Sequence, residues 1–394
     1  MKIKLGEICT ISSAKRIFEK EYVKNGIPFI RGLEISNGSI LNEKTSFECY
    51  ISKKRYEELK RIYGVPQKGD ILITAVGTIG NLCYIDTEME FYFKDGNVIW
   101  LKNFQKNVHP KYLYYFMKSP FWRSQLKYAM IGAVQKALTM IMLEEIEIEL
   151  PNYSMQISIA TVLECIDLKI ANNNKINAEL ESMAKTIYDY WFLQFDFPDE
   201  NGKPYKSSGG KMVWNEELKR EIPAGWEKGV FSDLIDIGNG RDHKDLSDGN
   251  IPVYGSGGVM RTVDTSIYSG ESVLIPRKGT LNNIIYVNSN FWTVDTMFYT
   301  KMKKKHSAIY TYYSAKLYDF EKLNTGTGVP SMTSSIIYNL KVVIPPDKIL
   351  GYFDNYVQAF YRKMQENEME NRELVSLRDF LLPLLMNGQV GFKQ

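Results

Sequence analysis

The sequence predicts an α+β fold in which two globular, β-rich domains are joined by two long antiparallel coiled-coil helices, with a pseudo-twofold internal repeat. The first observation is that the second half of the chain repeats the first. Pro151 corresponds to Pro345, and the match runs without a gap to Ile187 and Leu381, at an offset of 194 positions. The second is that both matched segments carry apolar residues at alternating steps of four and three, the pattern of coiled-coil helices. So long a period indicates duplicated domains and not a solenoid of short repeats.

The offset between the two copies grows toward the start of the chain. Residues 77–79 correspond to 279–281 at an offset of 202, and residues 27–28 correspond to 251–252 at 224. The first copy therefore holds extra residues between Arg31 and Lys68. We expect the copies to share a scaffold and to differ in their loops.

Composition supports a multidomain chain with packed cores, because 44% of its 394 residues are hydrophobic and 13% are aromatic. A stretch rich in Gly, Ser, Pro and Asn predicts a flexible linker between the copies. The expected organisation is a first globular domain at 1–150, a central helix at 151–197, the linker at 198–221, a second globular domain at 222–345 and a C-terminal helix at 346–394.

Several classes of protein are disfavoured by composition. No run approaches the roughly 18 apolar residues of a membrane span, so we expect a cytoplasmic protein that does not enter a membrane. The four cysteines form no CxxC pair and the three histidines lie far apart, which argues against a metal site. The net charge is only +3, but the basic excess lies in the two globular segments, which is compatible with phosphate contacts.

Each globular segment contains a predicted β-hairpin and a strand that precedes the helix. β-branched and aromatic residues flank glycine-containing turns at 77–81 and 278–283, and a proline follows the last strand of each copy. The predicted strands are 69–74, 82–85, 146–150, 272–275, 284–287 and 340–344.

Each predicted helix has a seam that becomes polar at its centre. The first seam includes Asn173 and Asn177, and the second includes Asn367 and Asn371. Asparagine in a seam lowers stability but fixes the register, because a shifted partner would leave its amide unsatisfied. We therefore expect these four residues to meet if the helices pair antiparallel; the alternative is that they are solvated. The remaining seam positions are Ile159, Leu163, Ile166, Ile170, Leu180, Ala184, Ile187 and Trp191 in the first helix, and Phe353, Val357, Phe360, Met364, Leu374, Arg378, Leu381 and Leu385 in the second.

Five pieces of sequence occur in a distinctive order. They are GDILITAVGTIG at 69–80, a loop ending at Thr139, a strand closing at 150–151, a helix finishing at 188–192, and IPAGWE at 222–227, which opens the second copy. Over essentially the whole chain, this order resembles the DNA-specificity (S) subunit of type I restriction-modification systems.

The resemblance implies that each globular segment is a target recognition domain that reads one half of a bipartite sequence in double-stranded DNA. It also implies that the paired helices set the gap between the halves and dock two methyltransferase (M) subunits, and that motor-nuclease (R) subunits can join. The chain would then have no catalytic residue. S-adenosylmethionine, ATP and Mg are expected in the partner subunits, with no cofactor in this chain. Because the loops of the two copies differ, we expect an asymmetric target.

The sequence itself also lacks recognisable catalytic motifs. An adenine methyltransferase needs a box of Asn or Asp followed by two prolines and an aromatic residue, whereas the single Pro-Pro here is Pro345-Pro346 within Ile344–Asp347. There is no GxxxxGK[ST] loop for ATP. Two alternatives stay open: a solitary enzyme of restriction type, and a coiled-coil scaffold whose β-rich domains bind proteins.

Candidate DNA-binding residues are those whose chemistry suits base edges or phosphates and that lie in the predicted loops. Arg and Lys read guanine, Asn and Gln read adenine, and phosphates accept from Lys, Arg, Ser and Thr. For each residue, the alternative is a solvated loop side chain. The candidates are Lys15, Arg16, Arg31, Thr78, Asn81, Gln135 and Lys136 in the first copy, and Arg241, His243, Lys244, Arg277, Lys278, Asn282, Asn283, Thr327 and Ser331 in the second.

The first helix ends in aromatic residues. Tyr190, Trp191 and Phe192 permit two interpretations: packing within the chain, or docking of a methyltransferase subunit. We favour docking as the hypothesis, which predicts that Trp191→Ala weakens assembly and leaves a folded monomer.

Overall fold

The computed structural model describes residues 2–36, 47–130, 137–326 and 328–391. Their contacts divide the chain into two compact units. The first unit comprises Met1–Asn173 and Met369–Gln394, and the second comprises Asn174–Glu368. Each unit therefore contains one globular segment and a portion of both long helices.

Among its described residues, the first unit combines three small sheets with six α-helices and a portion of each long helix. One antiparallel sheet has the strand order β2-β9-β6-β7, a second has the order β3-β5-β4-β8 with β4 and β8 parallel, and β1 pairs with β10. In chain order its elements are β1 (Lys2–Lys4), α1 (Leu5–Ile8), β2 (Thr10–Ser13), β3 (Tyr22–Val23), β4 (Ile27–Ile30), α2 (Gly32–Ser36), β5 (Tyr50–Ile51), α3 (Lys53–Tyr63), β6 (Ile71–Thr74), β7 (Leu82–Tyr84), β8 (Tyr92–Phe93), β9 (Val98–Lys102), α4 (Pro110–Lys118), α5 (Pro120–Ala129), α6 (Met140–Glu144), β10 (Glu147–Glu149) and α7 (Tyr153–Tyr188).

The second unit is built around a six-stranded sheet. Its strand order is β14-β19-β17-β18-β15-β16, with β15 and β18 parallel, and two further antiparallel pairs are β11–β12 and β13–β20. Its elements are β11 (Met212–Asn215), β12 (Arg220–Pro223), β13 (Glu227–Val230), α8 (Phe231–Leu234), β14 (Ile235–Asn239), β15 (Ile251–Gly255), β16 (Gly258–Val263), β17 (Tyr268–Pro276), β18 (Ile285–Thr293), β19 (Met297–Met302), α9 (Ala308–Lys316), α10 (Ser334–Tyr338), β20 (Lys341–Ile344) and α11 (Asp347–Met386).

Both units repeat one arrangement, which confirms the predicted duplication and the α+β class. In the first unit β1 pairs antiparallel with β10 and leads into α1; in the second unit β13 pairs with β20 and leads into α8. All six predicted strands are present. The short helices α6 and α10, which precede the last strand of each copy, were not predicted; each lies between a predicted loop and the predicted last strand, where we expected no helix.

Buried apolar residues of each helix seam belong to the core of the unit that contains them. In the first unit Ile159 and Leu163 pack with Leu382 and Leu385 around α1. In the second unit Ala184 packs with Phe353 and Val357. Seam burial, and not intrinsic helix propensity alone, therefore stabilises these long helices.

Within each unit the two helix portions run antiparallel. In the first unit Arg378 Nη1 donates to Asp167 Oδ1 at 3.0 Å, and Asn371 lies opposite Asn173. Helix α7 begins at Tyr153, two residues after the predicted start, because Asn152 Oδ1 accepts from the amide of Met155 at 2.8 Å and caps the first turn. A π-helical turn at Asp189–Leu193 follows its last residue.

The segment that we expected to be a flexible linker, 198–221, is folded. Strand β11 within it pairs with β12, and the ring of Tyr205 stacks on Phe197 at 4.7 Å. The carboxylate of Asp196 accepts from the amide and the hydroxyl of Ser207 at 2.7 and 2.6 Å. Composition suggested flexibility, but local turns and aromatic packing order this segment.

Candidate nucleic-acid interface

The β6–β7 turn of the first unit presents Thr78 and Asn81. Gly77 and Gly80 have φ values of +79° and +90°, which favour glycine, and the amide of Asn81 donates to Thr74 Oγ1 at 2.9 Å. The Thr78 hydroxyl lies 2.7 Å from Ser36 Oγ at the end of α2. Within the described part of the chain the side-chain amide of Asn81 has no partner, so it remains available to a ligand.

Basic residues that sequence reasoning missed line the same cavity as Asn81. This cavity of about 650 Å³ is bordered by Lys118 at the end of α4 and by Arg123 and Lys127 on α5. The side chain of Ser119 accepts from the amide of Trp122 at 3.3 Å, which starts α5 so that Arg123 and Lys127 lie one turn apart. Their spacing of four on an amphipathic helix was the signal that could have identified them.

A second cavity of the first unit, about 490 Å³, contains Arg16, Arg31 and Lys94. Arg31 Nη2 donates to Glu34 Oε1 and to Glu48 Oε2, each at 2.7 Å, and these bonds raise the pKa of Arg31. Its charge is thus already neutralised within the protein.

The other two basic candidates of this region differ in their surroundings. Arg16 Nε donates to Asp95 Oδ2 at 2.9 Å, but its side chain is largely exposed. Lys15 is exposed, with its ammonium 5.4 Å from the centre of the Tyr63 ring. Three further candidates, Gln135, Lys136 and Thr327, lie outside the described residues.

In the second unit the candidates after β17 are fixed by backbone contacts. The amides of Arg277 and Lys278 donate to Thr296 O at 2.8 and 3.2 Å, and Lys278 forms a β-bridge with Ser331. The guanidinium of Arg277 lies 5.8 Å from the centre of the Phe298 ring and has no carboxylate partner among the described residues. Arg277, Lys278 and Ser331 therefore meet at one edge of the unit.

The loop after β14 reaches the same edge. His243 and Lys244 line a cavity of about 660 Å³ together with Ser256 and Thr296. Lys244 Nζ is 3.7 Å from Asp242 Oδ2 but remains largely exposed, and His243 Nδ1 is buried without a hydrogen-bond partner in the described region. Arg241 is exposed beside them, held by a bond of 2.8 Å from its amide to Thr293 O.

Two amide candidates in this unit serve the fold. Asn282 Nδ2 donates to Asp319 Oδ1 at 3.1 Å, while its Oδ1 accepts from the amide of Phe320 at 2.8 Å. Asn283 Nδ2 donates to Ser256 O at 2.9 Å. Because these bonds use the groups that would read adenine, both residues position loops and are poor candidates for base contacts.

The four seam asparagines are brought together in pairs. Asn173 Nδ2 donates to Asn371 Oδ1 at 3.0 Å in the first unit, and Asn367 Nδ2 donates to Asn177 Oδ1 at 2.8 Å in the second. Asn173 and Asn367 are buried. Each asparagine faces its partner only in this alignment of the two helices. The pairs therefore suit a role in fixing the register of the helices.

The aromatic residues at the end of α7 correct our docking hypothesis. Trp191 and Phe192 are buried in the core of the second unit. The centre of the Phe192 ring lies 4.9 Å from that of Phe353 and 4.7 Å from that of Tyr310. Buried rings cannot offer a surface to a partner. Of the three predicted docking residues, Tyr190 alone is exposed, at 39%.

Neither a metal-binding cluster nor a membrane-spanning helix occurs among the described residues. No group of three or more His, Cys, Asp or Glu residues among them could hold a metal ion. In the same part of the chain, no helix is long and apolar enough to cross a membrane.

The chain resembles known proteins along almost its full length. A model of the type I restriction modification DNA specificity domain matches residues 1–182 and 223–368. The type I restriction enzyme MjaIX specificity subunit of Methanocaldococcus jannaschii is 27% identical over 405 residues, spanning 95% of this chain and 89% of that protein. The HindI specificity subunit of Haemophilus influenzae is 21% identical, with 90% of this chain and 94% of that protein covered. A type I restriction-modification S subunit from M. genitalium has a similar fold, with a TM-score of 0.62 at 16% identity, covering 98% of this chain and 95% of that one.

Proposed function

The chain belongs to the type I restriction modification DNA specificity family, whose members are non-catalytic DNA-recognition subunits, and from this premise we propose that it reads an asymmetric bipartite target in double-stranded DNA. Each unit reads one half of the target. The two halves differ because the two units offer different side chains.

One observation carries this proposal: within the described residues, each unit gathers cationic or amide side chains that have no carboxylate or hydrogen-bond partner, close to a glycine turn of its sheet. In the first unit these are Asn81, Arg123 and Lys127. In the second unit they are Arg277 and Lys278. Guanidinium and amide groups with free donors are those that read base edges in the major groove, and lysines suit phosphates.

We further propose that α7 and α11 hold the gap between the half-sites and dock two methyltransferase subunits, which motor-nuclease subunits can join. S-adenosylmethionine, ATP and Mg would then be bound by those partners. The exposed apolar side chains on α11, such as Tyr352 and Tyr356, support a docking role for the helices better than the buried Trp191 does.

The main test is to express the chain with its cognate methyltransferase subunit in a host that lacks adenine methylation and to map methyladenine by long-read sequencing. We expect two unlike half-sites separated by a fixed number of unspecified bases. Methylation of a continuous or palindromic sequence would contradict the proposal, as would a stable complex that methylates nothing.

The role of the helices has a separate test. Deleting one turn, four residues, from α7 and the four facing residues from α11 shortens each helix by about 6 Å. The gap between half-sites should then shrink by about two base pairs at ~3.4 Å each. Replacing the same residues by alanine keeps the helix length and is the control. An unchanged gap in the deletion variant, with methylation retained, would rule out the helices as the spacer.

A further inference from the structure

A cavity of about 270 Å³ in the second unit shares no residue with the proposed DNA-reading edge. It is formed by the β11–β12 hairpin, the end of α7, helix α9 and strand β20. Its polar lining comprises Arg220, Lys341, Glu217, Tyr188, Tyr310, Tyr318 and Ser314.

Arg220 differs from the other partly buried arginines of the chain. Arg31, Arg55, Arg261 and Arg378 each bind a carboxylate. Arg277 lies at the edge where we propose that DNA binds. Over the described residues, Arg220 has no carboxylate within 4.0 Å, although a guanidinium stays charged at neutral pH.

The contacts of Arg220 orient its side chain but leave most of its donors free. Nη2 donates to Phe192 O at 3.4 Å, and the guanidinium carbon lies 4.6 Å from the centre of the Phe195 ring. Burial lowers the pKa of Arg220, because water is removed from the charged group. A cation that is partly buried without a counter-charge is unfavourable, and a bound anion would relieve this.

The neighbouring groups do not supply that anion. The Glu217 carboxylate is bonded to Lys228, and Lys341 Nζ donates to the backbone oxygen of Glu217 at 3.3 Å. The buried hydroxyls of Tyr188 and Ser314 are 3.0 Å apart. Ser314 also bonds the hydroxyl of Tyr310, which itself donates to the backbone oxygen of Val343. These hydroxyls therefore satisfy one another, and the free donors that face the cavity are those of Arg220.

From this arrangement we infer that Arg220 and the surrounding cavity bind a single oxyanion group, a carboxylate or a phosphate. Arginine pairs with such groups through two parallel hydrogen bonds. The cavity is smaller than the usual range for drug-sized ligands, roughly 300–1,000 Å³, which suits a single oxyanion better than a nucleotide. Its source is either a free small anion or an acidic side chain on a partner subunit.

The first experiment measures thermal unfolding of the full chain in sodium phosphate, sodium acetate and sodium chloride at equal ionic strength. Phosphate or acetate should raise the melting temperature of the wild type saturably, by a few degrees over chloride. Arg220→Gln should lose this increment. Arg362→Gln removes an exposed arginine of the same unit and should keep it.

A measurement on the wild type covers the case in which Arg220→Gln fails to fold. Phenylglyoxal modifies accessible guanidinium groups, and peptide mapping by mass spectrometry locates the modified residues. Phosphate should slow modification of Arg220 at least several-fold and leave that of Arg362 unchanged. Such protection would place the anion at this cavity.

A third arm identifies an anion supplied by a partner. If free anions have no effect, wild-type chain bound to its methyltransferase subunit should still protect Arg220 from phenylglyoxal, and folded Arg220→Gln should co-purify with that subunit less completely than Arg362→Gln does. The inference is overturned if neither free anions nor the partner protect Arg220. That result would leave the methylation map, and hence the proposed function, intact.

Discussion

The two units share a scaffold of strands and helices but differ in the segments inserted into it. Both begin with a strand paired to the strand that precedes a long helix, yet the first unit inserts α2, β5 and α3 between β4 and β6, where the second has a single hairpin strand, β16. The insertion also carries Glu34 and Glu48, the two acids that bind Arg31. Arg277 of the second unit has no carboxylate partner among the residues that the structure describes. The shared scaffold thus fixes where the candidate side chains lie. The inserted segments determine which of them are already bound by carboxylates of the same chain.

The strongest test of the shared scaffold uses corresponding seam positions. Trp191 is buried in the second unit and Leu385, its counterpart in the repeat, is buried in the first. Trp191→Ala and Leu385→Ala should each destabilise their own unit by about 3–5 kcal/mol through lost burial and a residual cavity. Hydrogen exchange with mass spectrometry would report the two units separately.

The control for this test is Tyr190→Ala, which removes an exposed ring next to Trp191 and should cost less than about 0.5 kcal/mol. If Trp191→Ala left exchange in the second unit unchanged, the packing of this ring would not be a determinant of the fold. Weakened methyltransferase binding by a fully stable Trp191→Ala chain would restore the original docking hypothesis.

A second test compares the asparagine pairs of the two units. Asn177→Ala would leave the buried Nδ2 of Asn367 without its acceptor at 2.8 Å, at a cost of about 1–3 kcal/mol to the second unit. The double variant Asn177→Leu with Asn367→Leu removes both polar groups, so it should recover that loss. Chemical denaturation of the three chains would measure the difference. Equal stability of Asn177→Ala and wild type would mean that the pair is solvated.

The third test compares one candidate DNA-binding arginine from each unit. If Arg277 reads a base, Arg277→Gln should lower discrimination at one position of one half-site by about 5–150-fold, equivalent to about 1–3 kcal/mol. Arg31→Gln should leave the recognised sequence unchanged, because Glu34 and Glu48 already engage that guanidinium. Methylation mapping of both variants is the measurement. A motif altered by Arg31→Gln and unaffected by Arg277→Gln would reverse our ranking of the two units' arginines.

The repeat, the strands and the long helices could be predicted from sequence, because each is a local pattern of apolar residues that recurs in both copies. The selection among candidate DNA-binding residues could not. Asn282 and Arg31 have suitable chemistry, but they donate hydrogen bonds to Asp319 and Glu48, respectively. These acids are distant in sequence, so the pairing is not visible without the structure. Periodicity likewise marks Trp191 as apolar without distinguishing a core residue from an interface residue.

The smallest expected effect is a difference between the two units in how their stability depends on pH. Asp70, at the start of β6, is buried and accepts from the amide of Gln67 and from Trp100 Nε1, each at 2.8 Å. Burial raises the pKa of Asp70 above its ordinary value of 3.8, and the two hydrogen bonds offset this only in part. The folded unit therefore holds the proton more tightly than the unfolded chain does.

A raised carboxyl pKa contributes stability below the ordinary value and loses it as the pH rises through the folded-state value. Asp70→Asn cannot lose that contribution, so the stability of the variant relative to the wild type should increase from pH 3.5 to pH 6.5, and the difference should appear in the first unit. Glu271→Gln alters the corresponding residue of the second unit and should leave the pH dependence of the first as in the wild type. Hydrogen exchange of residues 71–74 at both pH values is the measurement, and a constant difference between Asp70→Asn and wild type would show that burial of this carboxyl does not couple folding of the first unit to protons.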